Sequence, residues 1–277
     1  MPRDFAVFLG EMIRKPDEVR AIAPSSSAVA RLMTRGVETV AGLEAALRGG
    51  ADRIELCAAL SVGGLTPPGS LIRAAASGPL PVHLLARPRA GGFVYDTAEQ
   101  VLIADDVRAA ADAGLAGVVI GASAADRQLD TAVLARWVDH ARTLGQQRGA
   151  ALSLTLHRAF DLVPDPLAAL EQAVALGFDR ILTSGGQPRA IDGVATLAAL
   201  HRQAAGRIII LAGSGVSVET APALLATGIT ELHASCRSTR EIAPDAHERR
   251  FGFVAAQDGD TDVDRVAALA QLVHFAA

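Results

Sequence analysis

The chain has 277 residues, half of them hydrophobic, and a mean hydropathy of +0.29; this composition excludes a disordered or collagen-like protein. Its length suits one closed α/β barrel, which typically needs about 250 residues, or two smaller domains. The net charge of −4, from 26 basic and 30 acidic residues, offers no broad basic surface for nucleic acid or anionic lipid.

Lysine and cysteine counts narrow the chemistry further. Lys15 is the only lysine and precedes the first predicted core element, which excludes Schiff-base aldolases and pyridoxal-phosphate enzymes because both need a lysine amine in the site. Cys57 and Cys236 are too far apart in sequence for a zinc ribbon or a disulfide framework. We therefore expect a cytoplasmic protein, and no apolar run is long enough for a membrane helix.

Residues 1–30 hold one short apolar run, Pro24 and three serines. We interpret them as an N-terminal extension. From residue 31 onward a junction recurs in which a helical run ends in glycine and a β-branched run follows. This pattern and the apolar runs between its copies predict eight strands, around 32–37, 49–56, 81–86, 114–120, 151–156, 177–183, 207–212 and 228–233.

Stretches with helical periodicity separate these strands, at 40–47, 98–113, 131–144, 166–176, 191–203 and 218–226. A polar loop at 237–260 precedes a last amphipathic helix at 263–275. Eight alternating strands and helices predict a parallel sheet closed into a TIM barrel, so the prediction is one α/β domain over 31–277. A doubly wound open sheet is the alternative, but its Gly-rich fingerprint after the first strand is absent.

The active site of such a barrel lies at the C-terminal ends of the strands, where strand alternation directs certain polar side chains inward. Glu55 on the second strand and His157 at the end of the fifth could form an acid/base pair, because a dry barrel shifts a carboxylate pKa and imidazole titrates near neutrality. The structural alternative is that Glu55 pairs with Arg87 or Arg158 and holds the mouth together.

Other inward polar residues join this candidate site. Asp161 follows His157 at one strand end, and His233 lies on the eighth strand, where a satisfied core histidine is the alternative. Arg87 opens a loop after the third strand that either receives an anionic substrate or pairs with Glu55. Cys57 ends the second strand and is the candidate metal ligand.

Glycine-containing loops after strands six and seven, together with Ser235 after strand eight, predict an anion site. Their backbone N–H groups and a following helix favour a phosphate or other anion, and barrels frequently bind phosphate after strands seven and eight. The alternative is that the glycines only turn the chain. The candidate residues are Ser184, Gly185, Gly213, Ser214, Gly215 and Ser235.

Seven segments in family order resemble the CutC family of copper homeostasis proteins: 50–57 (GADRIELC), 63–67 (GGLTP), 87–89 (RPR), 157–161 (HRAFD), 182–185 (LTSG), 212–216 (AGSGV) and 231–235 (ELHAS). The resemblance implies a cytoplasmic TIM barrel, a homodimer, and a proposed role in binding copper(I). By motif it carries functional roles onto six residues here: Glu55, Cys57, Arg87, His157, Asp161 and His233.

The chain departs from the family pattern at three positions. Thr34 and Gly36 stand where the family usually has Glu and Cys, and Gly92 stands where Asp is usual. Two carboxylates and one thiol are therefore missing from the predicted mouth. Because copper(I) prefers thiolate and thioether ligands close together, these replacements disfavour copper binding by this chain.

Three hypotheses follow from the sequence. The first is a copper homeostasis role, implied by the resemblance. The second is a barrel enzyme, an isomerase, epimerase or lyase without a Schiff base, that acts on a small anionic or phosphorylated metabolite through Glu55 and His157. The third is a non-catalytic scaffold, which predicts a mouth filled by the protein's own side chains.

Overall fold

The computed structural model describes residues 30–275. The interpretation of residues 1–30 as an extension therefore concerns residues that lie outside the described range, apart from Ala30. None of the helices within 30–275 combines the length and the apolar character that crossing a membrane would require.

Eight parallel strands close into a barrel in which each strand pairs with the next and β8 pairs with β1. The predicted TIM barrel is confirmed. The strands are β1 (Arg31–Val37), β2 (Arg53–Leu56), β3 (Val82–Leu85), β4 (Gly117–Ile120), β5 (Ser153–Leu156), β6 (Arg180–Thr183), β7 (Ile209–Gly213) and β8 (Glu231–Ala234).

Helices follow the strands and cover the outside of the barrel. They are α1 (Val40–Arg48), α2 (Gly69–Ala76), α3 (Thr97–Asp112), α4 (Thr131–Gln147), α5 (Pro166–Leu176), α6 (Val194–Ala204), α7 (Ala221–Leu225), α8 (His247–Arg250) and α9 (Val263–Phe275). Short 3₁₀ helices lie at Leu60–Val62, Arg158–Leu162 and Ala190–Gly193.

Local sequence explains why these elements begin and end where they do. Asp165 caps α5 by accepting N–H bonds from its first turn, and Pro166 occupies the first helical position, where its missing N–H costs nothing. Gly177 ends the same helix at φ +85°, a left-handed conformation that glycine adopts without strain. The chain can then turn directly into β6.

Two similar junctions tie neighbouring strands together. Asp52 and Asp179 each precede a strand and accept a backbone N–H from the previous strand, at Leu32 and Leu154, both at 2.7 Å. The arginine that follows each aspartate begins its strand, at Arg53 and Arg180. The paired Gly-x-Asp-Arg segments therefore set strand position and also supply two cations to the barrel interior.

The interior floor of the barrel is a charged cluster. Arg53 pairs with Glu231, and the Arg180 Nε donates to the same carboxylate at 2.8 Å; all three side chains are largely buried. Arg180 also donates to the Ser153 hydroxyl at 2.7 Å. Above this floor Met33, Leu182 and Leu211 form a small apolar cluster, so the candidate cavity lies only near the C-terminal strand ends.

The prediction of a polar loop at 237–260 is wrong. The segment contains β9 (Arg237–Glu241) and β10 (Gln257–Thr261), which pair as an antiparallel hairpin, with α8 between them. Most of the hairpin side chains are exposed or half-buried. Both faces therefore carry polar residues, and the apolar alternation that identifies a half-buried strand is missing from the sequence.

Candidate functional site

A cavity of about 250 Å³ opens at the C-terminal end of the barrel. Strand ends, the loop after β2 and the loop after β3 all contribute to its wall. The lining residues are Arg35, Glu55, Val62, Gly63, Leu85, Arg87, Phe93, His157, Arg158 and Leu182. Three of the predicted catalytic residues, Glu55, Arg87 and His157, are therefore brought together here.

His157 has a defined tautomer. It is the residue before the 3₁₀ helix Arg158–Leu162, and its Nδ1 accepts the Ala159 backbone N–H at 3.1 Å. A neutral ring must then carry its proton on Nε2. That Nε2 is buried and has no hydrogen-bond partner within residues 30–275, so an N–H donor is left for a cavity ligand.

The ring of His157 is neutral at physiological pH. Burial, and to a smaller extent the nearby Arg87 cation, lower its pKa to about 4, while Glu55 opposes the shift. Phe93 packs against the ring with centroids 4.6 Å apart and contributes to its apolar surroundings. His157 is therefore suited to donating a hydrogen bond rather than to accepting a proton at Nε2.

Glu55 lies beside His233 in the barrel interior. Its Oε2 is 3.2 Å from the His233 Nε2, but the ring N–H is not aligned for a hydrogen bond, and no described residue donates to Oε2. Burial raises the pKa of Glu55, while the adjacent His233 and Arg35 outweigh that effect and lower it overall. Burial also lowers the pKa of His233, so the pair at neutral pH is a carboxylate beside a neutral imidazole.

Arg87 holds the mouth together through backbone carbonyls. Its Nη1 donates to the carbonyl oxygens of Val62 and Gly64, both at 2.9 Å, and its Nη2 donates to Gly91 at 2.7 Å. No ion pair with Glu55 is formed among the described residues. Arg87 thus joins the loops after β2 and β3 and contributes positive charge to the cavity wall.

Asp161 does not line the cavity; it organises the loop after β6. Its carboxylate accepts hydrogen bonds from Arg158 Nε at 2.6 Å, Thr183 Oγ1 at 2.5 Å, and the backbone N–H groups of Ser184 and Gly186 at 3.0 and 3.1 Å. With its oxygens already satisfied, Asp161 acts as a structural acceptor. The expectation that it contacts a substrate directly is not supported by this geometry.

The same contacts correct the predicted anion site after β6. The N–H of Ser184 donates to Asp161, and the N–H of Gly185 donates to the Thr183 hydroxyl at 2.9 Å. The donors that would bind a phosphate are therefore committed to the protein's own side chains. The carboxylate of Asp161 therefore occupies the position that an anionic ligand would take in this loop.

The predicted anion site after β7 and β8 is followed by a helix that is shorter and starts later than expected. Gly213 ends β7, and Ser214 and Gly215 follow with positive φ values of 84° and 68°, with Ser214 donating its hydroxyl to the Pro188 carbonyl at 2.7 Å. The next helix, α7, has only five residues and starts at Ala221. Neither this loop nor Ser235 contributes to the cavity wall.

The copper ligands implied by the resemblance do not assemble. Cys57 is fully buried in an apolar cluster with Leu85 and Val119, and burial raises its thiol pKa well above the usual range. Within residues 30–275 no three His, Cys, Asp or Glu side chains are grouped so that they could hold a metal ion. Because copper(I) binds thiolate sulfur, the described residues do not fit it.

Arg35 is the cavity residue that the sequence analysis missed. It follows Met33 by two positions, and Met33 pairs in register with the interior residues Arg53 and His233. Alternation along β1 therefore directs Arg35 inward as well. The period-two pattern counted from Met33 is the signal in the sequence that identifies Arg35.

The fold and the site together define a TIM barrel with a cavity at its C-terminal mouth that is lined by ionisable side chains. The sequence profile of the CutC family matches residues 33–238, and the chain belongs to the CutC family.

Relatives and solved structures agree with that membership. A protein of Sinorhizobium medicae strain WSM419 named family protein CutC is 51% identical over 229 residues, which cover 82% of this chain and 90% of the relative. A protein of Caulobacter vibrioides strain NA1000 / CB15N with the same name is 46% identical over 233 residues, which cover 83% of this chain and 92% of the relative. A Streptococcus agalactiae CutC structure named for copper homeostasis has a TM-score of 0.68 and 29% identity, covering 74% of this chain and 98% of that one. A 2,3-dimethylmalate lyase, 17% identical with a TM-score of 0.53 over 82% and 80% of the two chains, shares the fold alone.

Proposed function

We propose that this CutC-family protein is a proton-transfer enzyme, an isomerase, epimerase or lyase, that acts on a small carbonyl compound in the cavity. One observation carries the proposal. The Nε2–H of His157 and the Oε2 of Glu55 belong to the same small cavity, and both are buried without a hydrogen-bond partner among the described residues. Unsatisfied buried polar atoms are costly, and a bound substrate would satisfy both.

Each group has a role that its protonation state supports. Glu55, ionised at neutral pH, removes a proton from the carbon next to the substrate carbonyl. The electron pair of that C–H bond moves toward the carbonyl, whose oxygen gains negative charge and accepts a hydrogen bond from His157 Nε2–H. Glu55 then returns the proton to carbon or oxygen, so no charge is gained or lost. A neutral imidazole beside a carboxylate base is a known arrangement for such chemistry.

His233 acts as a positioning residue. Its Nε2 lies 3.2 Å from the Glu55 carboxylate, and both residues are almost fully buried. The imidazole therefore restricts where that carboxylate can point. The scaffold hypothesis is disfavoured, because it requires a mouth that the protein's own side chains fill, whereas a cavity of about 250 Å³ is open here.

Exchange of carbon-bound hydrogen with solvent tests the proposal. The full chain in D₂O is incubated with pyruvate, acetoacetate, dihydroxyacetone and glyceraldehyde, and loss of proton signals is followed by NMR. We expect enzyme-dependent exchange with at least one probe, a loss of at least about a hundredfold for Glu55→Gln, and a smaller loss for His157→Gln. Glu171→Gln on the exposed face of α5 is the matched control. Exchange that persists in Glu55→Gln, or no exchange with any probe, would refute the assignment.

Copper homeostasis is a second candidate function, favoured by the name of the Streptococcus agalactiae CutC structure. We propose that any such role does not depend on copper(I) bound by residues 30–275, because Cys57 and Cys236 are both free and their thiol pKa values are raised by burial. Competition with a copper(I) chelator tests this idea. The idea would be contradicted if the wild-type chain retained copper in this competition and the Cys57→Ser variant did not.

We also propose that the protein is a cytoplasmic homodimer that binds a small anion and neither nucleic acid nor membrane. Apolar side chains that are about half exposed at Val94, Val101 and Leu102 support a protein partner. Free cysteines are compatible with a reducing compartment. Light scattering coupled to size-exclusion chromatography tests the dimer, and a monomer at micromolar concentration would contradict it.

A further inference from the structure

Positive charge exceeds negative charge around the cavity. Arg35, Arg87 and Arg158 line it together with a single carboxylate, Glu55, and the pKa values given above leave His157 uncharged at neutral pH. A half-enclosed site with this balance favours an anionic ligand, because electrostatic interactions strengthen where water is partly excluded.

Two of the three cations already have partners in the protein. Arg87 donates to three backbone carbonyls, as described above. Arg158 donates to Asp161 at 2.6 Å and to the Ser184 hydroxyl at 2.8 Å. Both side chains are fixed, and most of their N–H groups are unavailable to a ligand.

Arg35 is different. Its guanidinium forms no hydrogen bond or ion pair with any residue of 30–275, although its charge acts on Glu55, His233 and Cys57. It is half-buried on β1, within the stretch Thr34–Val37 where the pairing of β1 with β2 shifts register. A planar guanidinium in such a place offers a fork of N–H donors that matches the two oxygens of a carboxylate.

We propose that Arg35 binds the carboxylate of a small substrate acid and thereby determines specificity. This inference rests on the proposed function, since it assigns the substrate class of the same cavity. Arg35, His157 and Glu55 line the same cavity, so a small substrate that binds Arg35 through its carboxylate can present a neighbouring carbonyl and C–H bond to the other two groups. A cavity of about 250 Å³ has room for about eight water molecules, which suits a short acid.

A phosphate group is a poorer match for the same place. Phosphates are usually bound by several backbone N–H groups at a glycine loop or helix N-terminus. The N–H groups of Ser184 and Gly186, on the loop next to Arg158, are bonded to Asp161. One guanidinium remains, and that arrangement selects a carboxylate.

Ligand-induced thermal stabilisation tests the proposal with the full chain. The probes are formate, acetate, glycolate and pyruvate, each beside its neutral amide, together with methyl phosphate. We expect at least one acid to stabilise the protein more than its amide, and Arg35→Gln to weaken that acid by about tenfold or more without affecting the amide. Arg35→Lys should retain part of the affinity. Arg31→Gln, an exposed cation at the other end of β1, is the matched control.

Three results would overturn the inference: no acid whose binding depends on Arg35, an equal loss for acid and amide, or methyl phosphate as the preferred Arg35-dependent ligand. Melting without ligand shows whether Arg35→Gln is folded, and Arg35→Lys provides the charge-preserving comparison. Failure of the proposed proton-transfer function can be distinguished from failure of this inference about Arg35. Binding of an acid in Glu55→Gln can remain dependent on Arg35 even if no hydrogen exchange is ever observed.

Discussion

His157 shows how one backbone N–H group can select the chemistry of a side chain. The ring follows β5 and accepts the Ala159 N–H at the start of a 3₁₀ helix. That bond places the proton on Nε2, and burial keeps the ring neutral. A sequence pattern can identify a histidine at a strand end, but it does not indicate which nitrogen faces the ligand.

Gly121 makes room for this ring and provides a prediction at the residue scale. A Cβ at Gly121 would lie 2.4 Å from His157 Nδ1 and 2.5 Å from its Cε1, so Gly121→Ala must displace the imidazole. We expect a loss of about 1–3 kcal/mol in the free energy of unfolding and at least tenfold slower hydrogen exchange, since about 1 Å of misplacement is enough to impair catalysis.

Gly69→Ala is the control for that substitution, because its Cβ would have an ordinary contact of 3.5 Å. Kinetics and urea denaturation of both variants separate the two effects. A Gly121→Ala enzyme with unchanged exchange rates would show that the position of His157 does not matter for the reaction.

At the scale of elements, the loop after β6 depends on a carboxylate from the loop after β5. Asp161 accepts bonds from Arg158, Thr183, Ser184 and Gly186. Asp161→Ala leaves these donors, most of them partly buried, without this acceptor, and we expect a loss of about 1–3 kcal/mol in the free energy of unfolding. Urea denaturation measures it. Asp126→Ala, which removes one exposed bond to the Gln128 N–H, should cost much less, and equal costs would argue against this role.

Elements with a strong apolar period were predictable, and elements without one were not. α5 and α9 were predicted with the bounds that the structure shows, 166–176 and 263–275, because capping residues and one buried face both mark them. The hairpin of β9 and β10 was missed because neither of its faces is apolar. Its register comes from antiparallel pairing between Arg237–Glu241 and Gln257–Thr261, which is a tertiary contact.

The candidate site was predictable to a similar extent. Alternation along strands correctly placed Glu55, His157 and His233 in the interior. It could not indicate that Asp161 would occupy the N–H groups of the loop after β6, because that bond joins residues 22 to 25 positions apart. Partner choice among polar groups depends on three-dimensional distances that strand periodicity does not contain.

At the scale of the whole molecule, the barrel floor is held by one carboxylate between two guanidinium groups. Glu231→Ala would leave Arg53 and Arg180 buried without their counterion. We expect the free energy of unfolding to fall by about 3–5 kcal/mol, with a smaller loss for Glu231→Gln. Chemical denaturation checks this, and a loss below about 1 kcal/mol for the alanine variant would show that water replaces the ion pairs.

Stability should also depend on pH. Burial lowers the pKa of His157 to about 4 and, together with Arg53, that of His83 to about 3, whereas both are near 6.5 in the unfolded chain. Between these values the unfolded state binds more protons. With respect to these two histidines, the free energy of unfolding should therefore level off near pH 7. It should fall below pH 6.5 by about 1.4 kcal/mol per pH unit for each histidine.

Denaturation at a series of pH values measures that slope. His157→Gln should remove the contribution of His157 to the pH dependence between pH 6.5 and 4, so the free energy of unfolding should change less steeply with pH. His247→Gln is the control because His247 lies on the surface helix α8, which has no buried residue. An identical slope in the wild type and His157→Gln would contradict the assigned protonation state.

The buried thiol of Cys57 also has a practical consequence. Only the thiolate reacts readily with alkylating or oxidising reagents, and this thiol is both inaccessible and protonated while β2 remains in the barrel. Its labelling rate in a Cys236→Ser background therefore reports how often the barrel opens, without any introduced probe. A ligand that binds the mouth should slow that labelling in proportion to its occupancy, so the protein carries its own sensor for identifying its substrate.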